Sequence, residues 1–335
     1  MKELSRFQDI DPEVVPKTDK RDLQFLKLLA NDGRLPLNTA AKQLRISPEG
    51  CGYRLNKLQE KGIIQAFIPN INLGKLGYTV YHVFLLLDES HREKQKELLA
   101  SLSNHPNIKS IIEYVDRWDY EIVFIARSVQ EFDGMLMECL KPIQSYILEK
   151  EVLEGVKEYY DMPIPSTKTA LSAEYEQGVV LDASDRSLIS ALSTNARAST
   201  YELGRQMSKS PDAVMQRIKS LKERGIIRGF SMIADLSLLS LSWNVMVITT
   251  KTYDAGIDSQ MRSFVQQEPN VIYALRTLGT YDFLFYIVSK DSHEYYSKVR
   301  KIKSQFSKII KTYDAWDGVK EHTYNPVPHA LVVSK

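Results

Sequence analysis

The sequence repeats itself at an offset of 163 residues. Between residues 19–67 and 182–230, 14 of 49 aligned positions are identical, and the register continues without an insertion to residues 165 and 328. Late in the repeat, Gly155-Val156-Lys157-Glu158 aligns with Gly318-Val319-Lys320-Glu321. A period this long exceeds that of solenoid repeats, which is 20–50 residues. The sequence therefore predicts a tandem duplication of one whole module.

The repeat divides the chain into seven predicted segments. Within each copy, the first part has helical periodicity and the rest alternates strand and helix patterns. The predicted segments are an N-terminal extension (1–18), a first helical domain (19–67), a first mixed domain (68–165), a linker (166–181), a second helical domain (182–230), a second mixed domain (231–328) and a tail (329–335). The extension is expected to be a disordered tail or an added helix.

The composition is that of a globular protein. Hydrophobic residues make up 43% and charged residues 26% of the chain, which excludes disordered and fibrous classes. Apolar runs such as Val83–Leu87 are too short to cross a bilayer. The first residues lack the apolar core of a signal peptide, and two cysteines, Cys51 and Cys139, suit a reducing compartment. A cytoplasmic location is expected.

The net charge of +2 is divided unequally between the two halves. Residues 1–165 carry 22 basic and 25 acidic groups, net −3, and residues 166–335 carry 22 and 17, net +5. Because DNA affinity depends on local positive charge, this asymmetry suggests that any DNA binding relies more on the second half.

The helical part of each copy has the pattern of a helix-turn-helix. Asp19 and Asp182 are candidate N-caps of a first helix, and Ser199 with Glu202 forms a capping box for the second helix of copy two. The third helix of each copy opens with Ser-Pro and ends at glycine, Gly62 or Gly225. In DNA-binding proteins of this architecture the corresponding helix lies in the major groove.

Helical spacing identifies residues of the third helix that are available to DNA. Arginine and glutamine suit bidentate contacts to bases, whereas lysine neutralises phosphates. The candidate DNA-binding residues are Ser47, Glu49, Tyr53, Arg54 and Lys57 in copy one, and Ser210, Asp212, Gln216, Arg217 and Lys219 in copy two. The pattern alone also fits a solvated helix of a protein-interaction module. Cys51, in the same helix, is either a small semi-buried residue or a redox-sensitive contact.

The second part of each copy has the order βαββαβ. Strands are predicted over Tyr78–Leu87, Ile108–Val115, Tyr120–Ala126 and Ile147–Lys157, with equivalent strands in copy two. This order is that of the ferredoxin-like fold, an antiparallel sheet with helices on one face. Because the other face is also apolar, we expect the sheets of the two copies to pair. The predicted class is α+β, with two domains of each kind in one chain.

Catalytic and metal-binding motifs are absent from the sequence. The six histidines never coincide at the repeat offset, and none has the spacing of a zinc site with cysteine. No Walker loop, Gly-x-Gly-x-x-Gly, His-Glu-x-x-His or Gly-x-Ser-x-Gly motif occurs. We expect no enzyme activity, no metal and no cofactor.

Taken in order, these motifs resemble the Lrp/AsnC (feast/famine) family of prokaryotic regulators. The resemblance covers nearly the whole chain, twice over. Its clearest carriers, in copy two, are Asp182-x-x-Asp185, Asn195-Ala196-Arg197, Ser210-Pro211, Arg217-Ile218-x-x-Leu221-x-x-x-Gly225-Ile226-Ile227 and a turn, Gly279-Thr280-Tyr281-Asp282, that is similar to the family's Gly-x-Tyr-Asp turn. It implies a helix-turn-helix joined to a ferredoxin-like effector domain, also called a RAM domain. It also implies that this chain is similar to a covalent pseudo-dimer that binds double-stranded DNA.

The family resemblance further implies a small-molecule effector, commonly an amino acid, bound near that turn, and assembly into higher oligomers. The effector-binding residues it implies are Gly279, Thr280, Tyr281 and Asp282 in copy two, with Arg117 and Asp119 in the altered turn of copy one. In copy one, Asp116 and Trp118 replace the glycine and the tyrosine, so this turn departs from the pattern.

Three functions are open at this stage. The leading hypothesis is a sequence-specific transcriptional regulator that reads an asymmetric site. The alternatives are an effector-sensing scaffold without DNA binding and an enzyme similar to the siroheme decarboxylases, which share the two-part build.

Overall fold

The computed structural model describes residues 4–88, 92–165, 173–174 and 178–332. Most of the predicted linker (166–172 and 175–177), the ends of the N-terminal extension (1–3) and of the tail (333–335), and residues 89–91 lie outside the described residues.

Each copy begins with a three-helix domain. The helices are α1 (Lys20–Asn31), α2 (Leu37–Leu44) and α3 (Pro48–Glu60) in copy one, and α6 (Ala183–Thr194), α7 (Thr200–Met207) and α8 (Pro211–Glu223) in copy two. The third helix is capped by Ser47 or Ser210, whose hydroxyl accepts a hydrogen bond from the amide of Gly50 or Ala213. Residues Arg45 and Ser208 end the second helix in the left-handed region, with φ of 55° and 54°. Both domains are therefore helix-turn-helix units, as the sequence predicts.

A two-stranded ribbon that the sequence analysis did not predict joins the two helical domains. Strand β1 (Ile64–Ile71) pairs antiparallel with β7 (Ile227–Ala234), so each crosses a predicted domain boundary. Beside the ribbon, Gly33 donates its amide to the carbonyl of Phe230, and Ala196 donates to Phe67. Each helical domain thus packs on the strand that belongs to the other copy.

The second part of each copy contains four long strands and two helices. In copy one these are β2 (Thr79–Leu87), α4 (Arg92–Ser103), β3 (Ile108–Tyr114), β4 (Tyr120–Ala126), α5 (Val129–Leu140) and β5 (Ile147–Asp161). A two-residue strand, β6 (Ala173–Glu174), lies on β5. In copy two they are β8 (Ser242–Thr250), α9 (Ala255–Gln267), β9 (Val271–Leu278), β10 (Phe283–Ser289), α10 (Ser292–Gln305) and β11 (Ile310–Tyr324). The predicted ferredoxin-like order is present in both copies.

The two sheets join at both edges into a closed eight-stranded antiparallel barrel. Strand β5 pairs first with β2 of its own copy and then with β9 of the other, and β11 likewise passes from β8 to β3. β11 changes partner at Gly318, where a Cβ would lie 2.7 Å from Trp243. β5 changes partner beside Gly155, the equivalent glycine. The predicted pairing of sheets is therefore present, and exchange of these long strands adds a continuous hydrogen-bonded closure.

Apolar side chains fill both sides of the barrel wall. Helices α4 and α5 cover the outer face of one half, and α9 and α10 cover the other. The interior holds large aromatic residues from both copies, including the buried Phe84, Trp243 and Trp316. Alternation of side chains along each strand allows both faces to be buried. Within the described residues, no helix combines the length and apolar character needed to cross a membrane.

The N-terminal extension is docked on the barrel along residues 4–8. The carbonyls of Leu4 and Phe7 accept hydrogen bonds from the amides of Tyr324 and Glu321 on β11. Phe7 stacks on Trp243 with ring centroids 4.6 Å apart, and Arg6 pairs with the buried Glu321 at 2.6 Å. The structure differs here from both expectations, a disordered tail and an added helix, because an apolar and a charged anchor fix this extended segment.

Candidate nucleic-acid interface

The recognition helices α3 and α8 expose different sets of side chains. In α3 the exposed residues include Glu49, Tyr53, Asn56 and Lys57, and in α8 they include Asp212, Met215, Gln216 and Lys219. Leu55 and Leu58 of α3 and Val214 and Leu221 of α8 are buried against the other helices. The exposed faces have both hydrogen-bonding and apolar groups, which suits contacts to base edges and to thymine methyl groups.

Two predicted DNA contacts, Arg54 and Arg217, are engaged within the fold. Arg217 donates to Asp182 at 2.7 Å and to Asp185 at 2.6 Å. Arg54 makes the equivalent contacts to the two carboxylates that open α1. Both arginines are half-buried, whereas the sequence analysis placed them on the available face. The attraction of paired N-cap carboxylates draws each guanidinium away from the exposed surface.

A sequence signal for this arrangement exists in the repeat itself. All three charged positions are identical in the two copies, although most surface positions differ. Retention of two aspartates and one arginine at the same offsets indicates mutual pairing as readily as DNA contact. These residues hold the first helix against the recognition helix.

The remaining predicted contacts occupy distinct places. Ser47 and Ser210 cap their helices, and their hydroxyl oxygens already accept an amide hydrogen bond. Lys57 lies with its ammonium 5.8 Å from the Tyr53 ring centroid, and Lys219 lies 3.8 Å from Glu223. Glu49, Asp212 and Gln216 are exposed.

Exposed cations on the second helix and on the turn after it were not among the predicted contacts. They are Lys42 and Arg45 in copy one and Arg205 and Lys209 in copy two. Their signal is their position within the five residues before the Ser-Pro that opens the recognition helix. They extend the positive surface beside that helix.

Positive charge is shared equally by the two helical domains. Residues 19–67 and 182–230 each contain 9 basic and 5 acidic residues, so each has a net charge of 9 − 5 = +4. The acidic excess of the first half lies in its mixed domain. The expectation that DNA affinity relies more on the second half therefore has no basis in the charge of the domains that would contact DNA.

Strand β5 brings together the two turns for which the family resemblance implies effector binding. In one turn, Arg117 pairs with Glu149 of β5, with an Nη1–Oε2 distance of 2.7 Å. In the other, the amide of Thr280 lies 3.4 Å from Oε1 of Glu151 on the same strand. Gly279 has φ of 135°, and a Cβ there would lie 2.8 Å from the carbonyl oxygen of Val152. Only glycine allows this close approach to β5.

Three of the six predicted effector residues face inward. The carboxylate of Asp282 accepts from the amide and hydroxyl of Thr250 at 2.6 and 2.7 Å, and the carboxylate of Asp119 accepts from the amide of Leu87 at 2.6 Å. Tyr281 is buried and donates to Asp314 at 2.8 Å; burial raises the pKa of its phenol, as does Asp314. These three residues shape the turns, while Arg117 and Thr280 remain accessible.

Two family profiles match the helical domains. An AsnC-type helix-turn-helix domain matches residues 181–222, and a winged helix-turn-helix DNA-binding profile matches residues 18–65. The regulator LrpA of Pyrococcus horikoshii is 29% identical over 145 residues, which are 39% of this chain and 97% of the relative. The chain therefore has an AsnC-type helix-turn-helix and is similar in sequence to regulators of the Lrp/AsnC family. Because one whole relative corresponds to about two-fifths of the chain, the comparison also fits a tandem module.

Other comparisons extend the family match. The transcriptional regulator AzlB of Bacillus subtilis is 27% identical over 119 residues, covering 35% of this chain and 76% of the relative. Among solved structures, the siroheme decarboxylase NirDL superposes with a TM-score of 0.61 and 15% identity, covering 91% of this chain and 93% of that protein. At this identity the similarity shows a shared fold. This chain and NirDL therefore share their fold over most of their length.

Proposed function

We propose that the protein is a sequence-specific transcriptional regulator that binds double-stranded DNA with two non-identical recognition helices. The observation that carries the proposal is the pairing, through the β1–β7 ribbon, of two helix-turn-helix domains whose exposed helix residues differ. Tyr53 and Lys57 of one helix correspond to Gln216 and Ser220 of the other. Two different recognition helices in one chain favour an asymmetric DNA site, with half-sites one helical turn, about 10 bp, apart. Because such a regulator acts on chromosomal DNA, we propose that it works in the cytoplasm of a prokaryotic cell.

The proposal is tested by selecting DNA sequences in vitro and footprinting the selected site. Gln216→Ala should relax preference in one half-site and Tyr53→Ala in the other, each by about 1–3 kcal/mol. Lys219→Ala should weaken binding to all DNA sequences evenly. It should also lower the slope of log affinity against log salt concentration by about one. Arg300→Ala, a charge-matched change on the distant helix α10, is the control. Binding that no recognition-helix variant alters would contradict the proposal.

The same test separates the regulator from the effector-sensing scaffold. Phosphate contacts release counterions, so DNA affinity must fall steeply with salt. Absence of any salt-dependent binding to selected or non-specific DNA would favour the scaffold.

We further propose that an amino acid is the effector and that it binds where the two turns meet β5. Glu151 offers a carboxylate for an ammonium group, and Arg117, now paired with Glu149, would exchange that partner for the carboxylate of the ligand. A higher homo-oligomer would bring a second copy to this exposed edge. Titration calorimetry and light scattering with a panel of amino acids test both statements, with Arg117→Ala expected to abolish the response.

An enzyme of the siroheme decarboxylase kind is the second candidate, favoured by the shared architecture with NirDL. The barrel interior also holds a titratable cluster, in which Glu121 accepts from Tyr286 at 2.6 Å and from Tyr114, and contacts His82 at 2.5 Å. All four side chains are buried and bond to one another, so this cluster is closed to a substrate as large as a tetrapyrrole. The regulator is preferred because the curated relatives described above are named as regulators. Appearance of a bound tetrapyrrole spectrum after incubation with siroheme, followed by loss of carboxyl groups, would support the enzyme.

A further inference from the structure

A cavity of about 280 Å³ lies where the second helix-turn-helix meets the first mixed domain. Its apolar walls come from Leu76, Val179, Leu181 and Leu331, together with the ring of Tyr78. Small-molecule pockets typically have volumes of about 300–1,000 Å³, so this cavity lies close to the small end of that range. The cavity is thus large enough for a small metabolite and is distinct from the two turns on β5.

Two arginines line this cavity without a carboxylate partner among the described residues. Arg127, which directly follows β4, lies with its guanidinium 4.9 Å from the Tyr78 ring centroid. Arg186, in the first turns of α6, donates one hydrogen bond to the carbonyl of Leu331 at 3.1 Å. Other surface arginines in the fold, such as Arg117 and Arg224, are paired with acidic residues. Both guanidinium groups therefore keep donors for an anion.

We propose that this cavity binds a small organic carboxylate. The guanidinium groups of Arg127 and Arg186 take the carboxylate, because their forked donors match its two oxygens. The apolar walls at Leu76, Val179 and Leu331 take a compact hydrocarbon body. Such a combination of apolar walls with a few convergent polar groups is typical of small-molecule sites.

The wall of the cavity is continuous with the recognition helix of copy two. The carbonyl of Val180, in the wall, accepts a hydrogen bond from Arg224 at the end of α8 at 3.1 Å. Arg224 also pairs with Asp185 at 2.8 Å, and Asp185 pairs with Arg217 in the middle of α8. A ligand that orders residues 178–181 and Arg186 would therefore act on α8 through two contacts. This regulatory role rests on the proposed function, whereas ligand binding does not.

Only one such site is present among the described residues of the pseudo-dimer. At the repeat offset, Arg127 corresponds to Lys290 and Arg186 corresponds to Leu23. Gly178–Val180, which complete the wall, belong to the linker and have no equivalent within a copy. The ligand would therefore change the DNA contacts of one recognition helix and leave the other unchanged.

Binding is tested on the full chain by titration calorimetry with isocaproate and phenylacetate. Their uncharged amides serve as matched probes. We expect saturable binding of at least one acid, weaker binding of its amide by about tenfold or more, and a similar loss in both Arg127→Gln and Arg186→Gln. Lys290→Gln, at the equivalent position of copy two, should bind normally. Circular dichroism confirms that each variant is folded.

Equal affinity for acid and amide, no binding to millimolar concentration, or binding unaffected by both arginine variants would overturn the inference. DNA affinity is measured separately, with and without the acid. DNA binding without acid binding rejects the cavity and leaves the proposed function intact. Acid binding without DNA binding rejects the function and leaves the cavity intact.

Discussion

Arg34 and Arg197, which align at the repeat offset, each hold the loop that carries the other. Arg34 donates to the carbonyls of Ala196 and Ala198 at 2.7 and 3.0 Å. Arg197 donates to those of Gly33 and Leu35 at 2.7 and 3.2 Å. This reciprocal clamp, with the β1–β7 ribbon beneath it, fixes the separation of the two recognition helices.

Removal of either clamp arginine should destabilise the protein. Arg34→Ala and Arg197→Ala each leave two carbonyls without charged donors, and a hydrogen bond to a charged group contributes about 1.5–3 kcal/mol. The free energy of unfolding in urea should fall by about that amount in each variant. The control is Arg205→Ala on the exposed face of α7, which should change stability by less than about 0.5 kcal/mol. Equal stability of all three variants would show that the clamp contributes nothing.

Arg217→Ala should act mainly on the stability of the second helix-turn-helix. Its removal leaves the buried Asp185 with Arg224 as its remaining partner. We expect a loss of about 1–3 kcal/mol in the free energy of unfolding and an even weakening across DNA sequences. Selection of DNA sequences by this variant and by Gln216→Ala distinguishes even weakening from a loss of base preference. If Arg217→Ala instead lost preference for one base while its stability stayed unchanged, the direct DNA contact predicted from the sequence would be supported.

Acid should loosen the first helix of each helix-turn-helix. A hydrogen bond from the Asp185 amide, with help from Arg217, holds the pKa of Asp182 below its ordinary value of 3.8. The stabilisation is therefore complete above that value and is lost as the pH falls through the lowered pKa. Asn at position 182 keeps the cap without the charge. The difference in Tm between the protein and Asp182→Asn should therefore be largest near pH 6 and shrink toward about pH 3. A constant difference would contradict this reading.

The two cysteines should resist thiol reagents in the folded protein. Cys51 is fully buried and burial raises the pKa of its thiol; burial also raises the pKa of Cys139 to about 11. Since the thiolate is the reactive form, labelling with a disulfide reagent at neutral pH should be slow and should become fast in urea. Rapid labelling of Cys51 in the native state would revive the redox-sensitive alternative.

Removal of Arg6 should show how much the N-terminal segment contributes to the stability of the protein. Arg6→Ala leaves the buried carboxylate of Glu321 without its cation, at a cost of about 3–5 kcal/mol. The double variant Arg6→Met with Glu321→Gln should recover most of this stability, because no buried charge remains. Unfolding followed by tryptophan fluorescence is suitable, since Phe7 stacks on Trp243. A double variant as unstable as the single one would locate the cost elsewhere.

Much of the fold was predictable because its signals are local. Capping residues such as Ser47 and Asp182, glycine stops and strand alternation lie within a few residues of the elements they define. They gave the helix-turn-helix units and the ferredoxin-like order. The repeat added the pseudo-dimer, and the apolar second face of each sheet added their pairing.

The positions of the other candidate site residues could not be predicted, because contacts between residues far apart in the chain determine them. Arg54 and Arg217 have the spacing of exposed helix residues, yet carboxylates some 30 residues earlier in the chain draw them inward. Arg127 and Arg186 lie in different copies, and nothing in their spacing indicates one cavity.

The sequence alone thus determined a duplicated module with two helix-turn-helix units whose third helices differ, since that information is carried by identities at a fixed offset and by local periodicity. The tertiary structure decided how the copies join: through a swapped ribbon, a reciprocal arginine clamp and two strands that each pass from one sheet to the other. These features depend on which backbone edges and buried carbonyls meet in space. The hydrogen-bond partners of these backbone groups come from residues far apart in the chain, so no local sequence pattern predicts the features.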